Sequence, residues 1–225
     1  MITKMIALDW RAMKVYQIRL LLLPVFALIL GWLYPVFVIP ISVFMCISFS
    51  INPFAVEEKG ELNHLYLTLP VNRKAIVTGR YALSLIMLFC GIIMGIAIMP
   101  LASLMGRIFM NSIWVLGFSG YIAIISLSCL FYSLLNLFMF PILFRIGYAK
   151  GKIWGFYLPA IFFAILIGIY TTIISIPGNE TITIEFIGYA SENMLLVSGG
   201  MVILAIAFLF LSYALSIKLY AKRDF

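Results

Sequence analysis

Phe54-Ala-Val-Glu-Glu-Lys-Gly-Glu-Leu-Asn-His-Leu-Tyr-Leu-Thr-Leu-Pro-Val-Asn-Arg-Lys-Ala-Ile-Val-Thr-Gly-Arg80 is the longest polar stretch between hydrophobic runs in this chain of 225 residues. It carries Glu57, Glu58 and Glu61, the single histidine His64, and the basic residues Lys59, Arg73, Lys74 and Arg80. What surrounds it is lipid-soluble. The chain is 65% hydrophobic and 10% charged, against about half apolar and about a quarter charged in a soluble domain. With a mean hydropathy of +1.18, that much apolar surface cannot be hidden in a water-soluble core. The sequence therefore reads as an integral membrane protein, with segment 55–79 outside the bilayer.

Working outward towards the N-terminus, no charge occurs between Leu20 and Val56. A spanning helix needs about 20 residues, so this run predicts two short spans, 20–34 and 36–54. Gly31-Trp-Leu-Tyr-Pro35 supplies the turn, because Pro35 disfavours helix at the residue before it. Pro24 and Pro40 are expected to kink these spans. Residues 1–19 put Ile2, Met5, Ile6, Trp10, Met13 and Tyr16 on one helical face, with Lys4, Arg11 and Lys14 opposite. That pattern suits an amphipathic helix lying in the membrane surface. Asp9 falls on the apolar side, which suggests a partner chain there. Five charges within the first nineteen residues argue against a cleavable signal peptide.

Towards the C-terminus, the uncharged run 81–106 predicts a third span, 81–104, with Gly91-x-x-x-Gly95 as a small-residue spacing for close helix approach. Arg107 and Asn111 mark a loop, and 108–116 reads as loop or interfacial helix. A fourth span, 117–140, ends near Pro141. The fifth is 154–175, the sixth 194–217, and 176–193 lies between them as an extracellular loop. With the N-terminus inside, fourteen of the fifteen Lys and Arg residues are cytoplasmic and only Arg107 is external. Loop 176–193 holds three acids and no base. This positive-inside bias puts both termini and segment 55–79 in the cytoplasm, and it accounts for the net charge of +7 without nucleic acid. The expected fold class is thus an all-α membrane domain of six spans, preceded by an interfacial helix.

Chemistry is hard to find. The predicted spans contain no ionisable residue of the kind ion-coupled carriers bury. There is no phosphate-binding GxxxxGK[ST], no HExxH and no Gly-x-Ser-x-Gly, and one histidine cannot support a histidine-based metal site. Cys46, Cys90 and Cys129 sit in apolar runs and read as packing residues. No catalytic, cofactor-binding or metal-binding residue is expected. Within 55–79, Leu62, Leu65, Tyr66 and Leu69 recur at i, i+3, i+4, i+7, which predicts a short helix with an apolar stripe. Glu57, Glu58, Glu61 and His64 form its polar flank, and Pro70 stops it. Acids at its N-terminal end suit the helix dipole and disfavour anionic lipid, so a protein partner fits better than headgroups.

Glu57-Glu58 followed by Thr68-Leu-Pro-Val-Asn-Arg73-Lys-Ala-Ile-Val-Thr-Gly-Arg80-Tyr81 resembles the stretch of ABC-2 permeases in which an acidic pair precedes S-L-P-V-x-R-x-x-I-V-x-x-K-Y. Thr68 stands for the usual Ser and Arg80 for the usual Lys. Among these, the chain looks most like the small permeases of phenol-soluble modulin exporters and bacitracin-type efflux systems. The resemblance implies an exporter in the bacterial cytoplasmic membrane, with two permease chains and two separate subunits that bind ATP and magnesium. It makes 55–79 a coupling segment, with Glu57, Glu58, Glu61, Leu62, Leu65, Tyr66, Leu69, Arg73 and Lys74 as candidate contacts to the ATP-binding subunit. Spans rich in Phe, Met, Ile and Leu suit hydrophobic or amphipathic cargo such as peptides. The alternatives are a membrane immunity or scaffold protein and an ion-coupled carrier.

Overall fold

A computed structural model of the chain describes residues 2–13, 22–31, 34–59, 72–110, 117–174 and 188–222. These residues are helical almost throughout, and no strand occurs among them. Helix α1 (Ile2–Ala12) is followed by α2 (Leu23–Gly31), a 3-10 turn (Pro35–Phe37), α3 (Val38–Ser50) and α4 (Asn52–Lys59). Then come α5 (Arg73–Met110), α6 (Phe118–Ile146), α7 (Tyr148–Ile174) and α8 (Met194–Ala221). Four stretches among the described residues are long and apolar enough to cross a bilayer: Pro35–Glu58, Arg73–Phe109, Phe118–Ile146 and Met194–Ala221. The second, third and sixth expected spans fall within these stretches, and so does the fourth apart from Gly117. The fifth falls on α7, and α2 covers part of the first.

Several boundaries differ from the sequence reading. The second span does not stop at 54; after a single turn residue, Ile51, helix continues as α4 and takes in Glu57 and Glu58. Helix α5 begins at Arg73, within the stretch expected to be a coupling segment, and runs through Arg107 to Met110. Its 38 residues make it about 57 Å long, well beyond an apolar core of about 30 Å. Residues 108–110 are thus helix, and 111–116 lie outside the described residues. Pro141 does not end α6, which runs five residues further. A proline costs one backbone hydrogen bond and a local clash, and packing in the bundle outweighs that. Pro24 and Pro40 lie in the first turns of α2 and α3, where an N–H has no helical partner to lose.

Close approach explains the glycines that matter. A Cβ on Gly91 would lie 3.0 Å from Val43 Cα, and one on Gly95 2.8 Å from Ile39 Cα, so the Gly91-x-x-x-Gly95 face seats α5 against α3 of the same chain. Gly31 meets Val38 in the same way, folding α2 back on α3. Gly147, with φ 87°, is the single non-helical residue between α6 and α7. Its conformation is one that a side chain disfavours.

Helices α3, α5, α6 and α8 form the packed centre. Helix α7 lies along α6, and α1 lies along α5 with Met5 against Gly79. The α1 reading needs one correction. Its buried face is Met5, Asp9 and Met13, directed into its own chain, so Asp9 needs no partner chain to explain it. Arg11 is exposed, and so is Trp10, which the sequence reading put on the same face as Met5 and Met13. The Lys4 side chain and Lys14 lie outside the described residues. Cys46 is buried, Cys129 half-buried and Cys90 exposed.

Candidate functional site

The ends of α4, α6 and α8 and the starts of α5 and α7 meet at one end of the bundle, here called the base. Glu57 on α4 and Arg80 on α5 form an ion pair there, 3% and 1% exposed. The Arg80 guanidinium lies 4.1 Å from the centre of the Phe54 ring and 5.6 Å from that of Phe144. Phe54 and Phe144 belong to an apolar cluster with Met5, Ile76, Val77, Tyr81, Phe140, Leu143 and Tyr220. Two charges are thus sealed under aromatic rings. Desolvation costs several kcal/mol per ion, and the mutual attraction plus a cation–π term of about 2 kcal/mol offsets it. Removing one partner leaves a stranded charge. The expected spans 36–54 and 81–104 hold no ionisable residue, yet Glu57 and Arg80, just beyond their ends, are drawn into the bundle because each meets its partner from the next helix.

The neighbouring charges also bind their own chain. Glu58 Oε2 accepts the backbone N–H groups of Tyr148 and Ala149, the latter at 2.8 Å. A carboxylate at this position caps the first turn of α7 and meets the positive end of its dipole. Arg73 donates from one nitrogen to the carbonyl oxygens of Tyr220 (3.4 Å) and Ala221 (2.9 Å), covering the last turn of α8. Asn72 starts α5: its carbonyl accepts from Ala75 and Ile76, and its side chain accepts the Lys74 N–H at 3.3 Å. The Lys74 side chain is exposed.

The structure thus brings Glu57, Glu58 and Arg73 together at the base, with their polar atoms turned onto α5, α7 and α8. Glu58, Arg73 and Lys74 are exposed, whereas Glu57 is buried. Glu61, Leu62, Leu65, Tyr66 and Leu69 lie outside the described residues, as does His64. The chain enters 60–71 from a helix held to α5 and α7, and leaves it into a helix held to α8.

A second polar feature escaped the sequence reading. Tyr132 OH donates to the Ser84 carbonyl oxygen (2.6 Å), and it lies 2.6 Å from Ser84 Oγ and 3.2 Å from Ser50 Oγ. Ser84 Oγ donates to Asn136 Oδ1 (3.2 Å), and Ser212 Oγ donates to the Asn136 carbonyl (2.9 Å). Tyr81 OH sits 2.6 Å from Ser212 Oγ and 2.8 Å from Ser216 Oγ. This ladder stitches α3, α5, α6 and α8 just above the ion pair. Serines, tyrosines and one asparagine scattered through four apolar runs give no local signal. Their only common property is that apolar surroundings force each to find a partner. Among the described residues no cluster of three or more His, Cys, Asp or Glu could hold a metal.

Residues 1–221 match the family model described as ABC-2 family transporter protein. The chain belongs to this family. No curated protein and no solved structure matches it significantly. An ABC-2 chain is the membrane-embedded permease subunit of a transporter, not itself catalytic, and it works with an ATP-binding subunit. In this ABC-2 permease the acidic pair and Arg73 tie the end of α4 and the start of α5 to α5, α7 and α8.

Proposed function

We propose that this permease subunit exports hydrophobic or amphipathic cargo, such as a peptide toxin or peptide antibiotic, across a bacterial cytoplasmic membrane. ATP hydrolysis in a separate nucleotide-binding subunit drives it, and a second permease chain completes the pathway. Segment 55–79 is the coupling element on the cytoplasmic side, where both termini also lie, and Glu61, Leu62, Leu65, Tyr66 and Leu69 are the contacts it offers.

The observation that carries this reading is the anchoring on either side of 60–71. Glu58 joins its entry to α7 and Arg73 joins its exit to α8, so a force on 60–71 reaches two long helices at once. A bare surface loop has no need of such ties. A cavity of about 580 Å³ between α3, α6 and α7, lined by Phe44, Phe131 and Phe163 with Ser48, Asn52 and Lys152, suits an amphipathic molecule. The ion pair gives little support to an ion-coupled carrier, since both charges are sealed beneath rings and neutralise each other.

The test co-expresses the chain with an ATP-binding subunit encoded beside it. ATP hydrolysis and cargo efflux are measured for wild type and for Leu65→Asp/Leu69→Asp. Complex formation by wild type, lost in the variant while the permease still folds, supports the reading. Failure of any ATP-binding subunit to associate with the wild type overturns it in favour of a scaffold or immunity role.

A further inference from the structure

Two cavities lie in line along the seam between α5 and α8. The first, about 370 Å³, is at the base and is lined by Asn72, Arg73, Lys74, Val77, Ile217 and Tyr220, among others. The second, also about 370 Å³, follows directly along the same helix pair and is lined by Ala82, Leu85, Ile206, Leu209 and Phe210, with Thr78, Tyr81 and Tyr213 on its basal side. Thr78 Oγ1 donates to the Lys74 carbonyl and lies 2.9 Å from Tyr213 OH, so hydroxyls mark the passage from the basic part to the apolar part. No Asp or Glu occurs between Asn72 and Leu85 or between Ile206 and Lys222, whereas the last turn of α8 carries Lys218 and its C-cap is Lys222.

From this gradient we infer that the α5–α8 seam binds one anionic phospholipid, its phosphate at Lys74 and Arg73 and an acyl chain laid over Ala82, Leu85 and Phe210. Length supports the assignment. From Lys74 to Leu85 a helix rises about 16 Å, close to the depth of one leaflet of a hydrocarbon core about 30 Å thick. A basic recess between helix ends at the membrane surface is a fitting receptor for an anionic headgroup. Arg73 already holds the end of α8, so the lipid would rest on the same residue that ties the exit of 60–71 to the bundle. The inference needs only that the bundle sits in a bilayer, so it can fail without touching the transport reading, and the reverse.

The test is native mass spectrometry of the full chain, released from mild detergent after equilibration with equimolar phosphatidylglycerol and phosphatidylcholine. Wild type is expected to retain phosphatidylglycerol preferentially. Lys74→Gln, at an exposed position that folding does not depend on, should weaken phosphatidylglycerol about fivefold and leave phosphatidylcholine unchanged, from roughly 1 kcal/mol per basic residue near an anionic surface. Leu85→Trp, also at an exposed position, should reduce retention of both lipids by obstructing the apolar part. Lys150→Gln, on α7, should change neither. Equal retention of the two lipids by wild type overturns the proposal, as does an equal loss in Lys74→Gln and Lys150→Gln. Rapid disulfide formation between two copies of Phe210→Cys in the bilayer also overturns it, because a second chain then occupies the seam.

Discussion

The base of the bundle and the ladder above it solve the same problem with different chemistry. At the base, two full charges are buried together, and each is tolerable only while the other is present. In the ladder, neutral hydroxyls and one amide share hydrogen bonds among α3, α5, α6 and α8, and most members have more than one neighbour to turn to. The first arrangement is all-or-none and the second is graded. An element that must hold firm and then release suits the first, whereas helices that must stay aligned suit the second.

The sharpest way to break the comparison is Arg80→Met. It strands Glu57 and should destabilise the bundle by about 3–5 kcal/mol, measured by denaturant unfolding in micelles. Glu57→Met/Arg80→Met should recover most of that loss, because an apolar pair of similar volume often replaces a buried ion pair at little cost. If the double variant remains as unstable as Arg80→Met, the site depends on packing by the guanidinium and not on charge pairing. Next in size is Gly95→Leu, which must push α5 off Ile39 on α3 and should cost about 1–3 kcal/mol, read in the same unfolding experiment. Glu58→Ala removes the cap of α7 and should cost about 1 kcal/mol, with faster amide exchange confined to the residues after Gly147. Smallest is Tyr132→Phe, at about 0.6 kcal/mol, the average for hydrogen bonds between helices in a membrane. A loss several times larger would show that the ladder is as all-or-none as the base.

The all-helical membrane character and most of the long helices were legible because hydropathy and length report them directly. The glycine pair at 91 and 95 was legible as a packing face, though not its partner. Arg80 gives no sign of its burial in the sequence, because it stands at the edge of a charge-free run. Helical spacing from Arg73 would have placed Ile76, Val77, Arg80, Tyr81 and Ser84 on one face, and Phe54 with Glu57 on another. Which acid meets Arg80 is a matter of tertiary packing between segments separated by 60–71. The ladder was illegible for a related reason: Ser50, Ser84, Tyr132, Asn136 and Ser212 are ordinary residues of apolar helices until the fold brings them together. Asp9, which broke the amphipathic pattern of α1, was the one local sign that this chain buries charge.

Gly147 gives the α6–α7 corner a mechanical character. One residue separates two helices of 29 and 27 residues, so the corner has no slack. Gly151 rides on Leu143 just beyond it, which keeps the first turns of α7 close to α6. Glu58 grips α7 at its foot, directly after that corner. A small displacement there has a short arm on one side and nearly the whole length of α7 on the other. Lever geometry of this kind converts a shift of an ångström or so at the foot into a sweep several times larger at the tip.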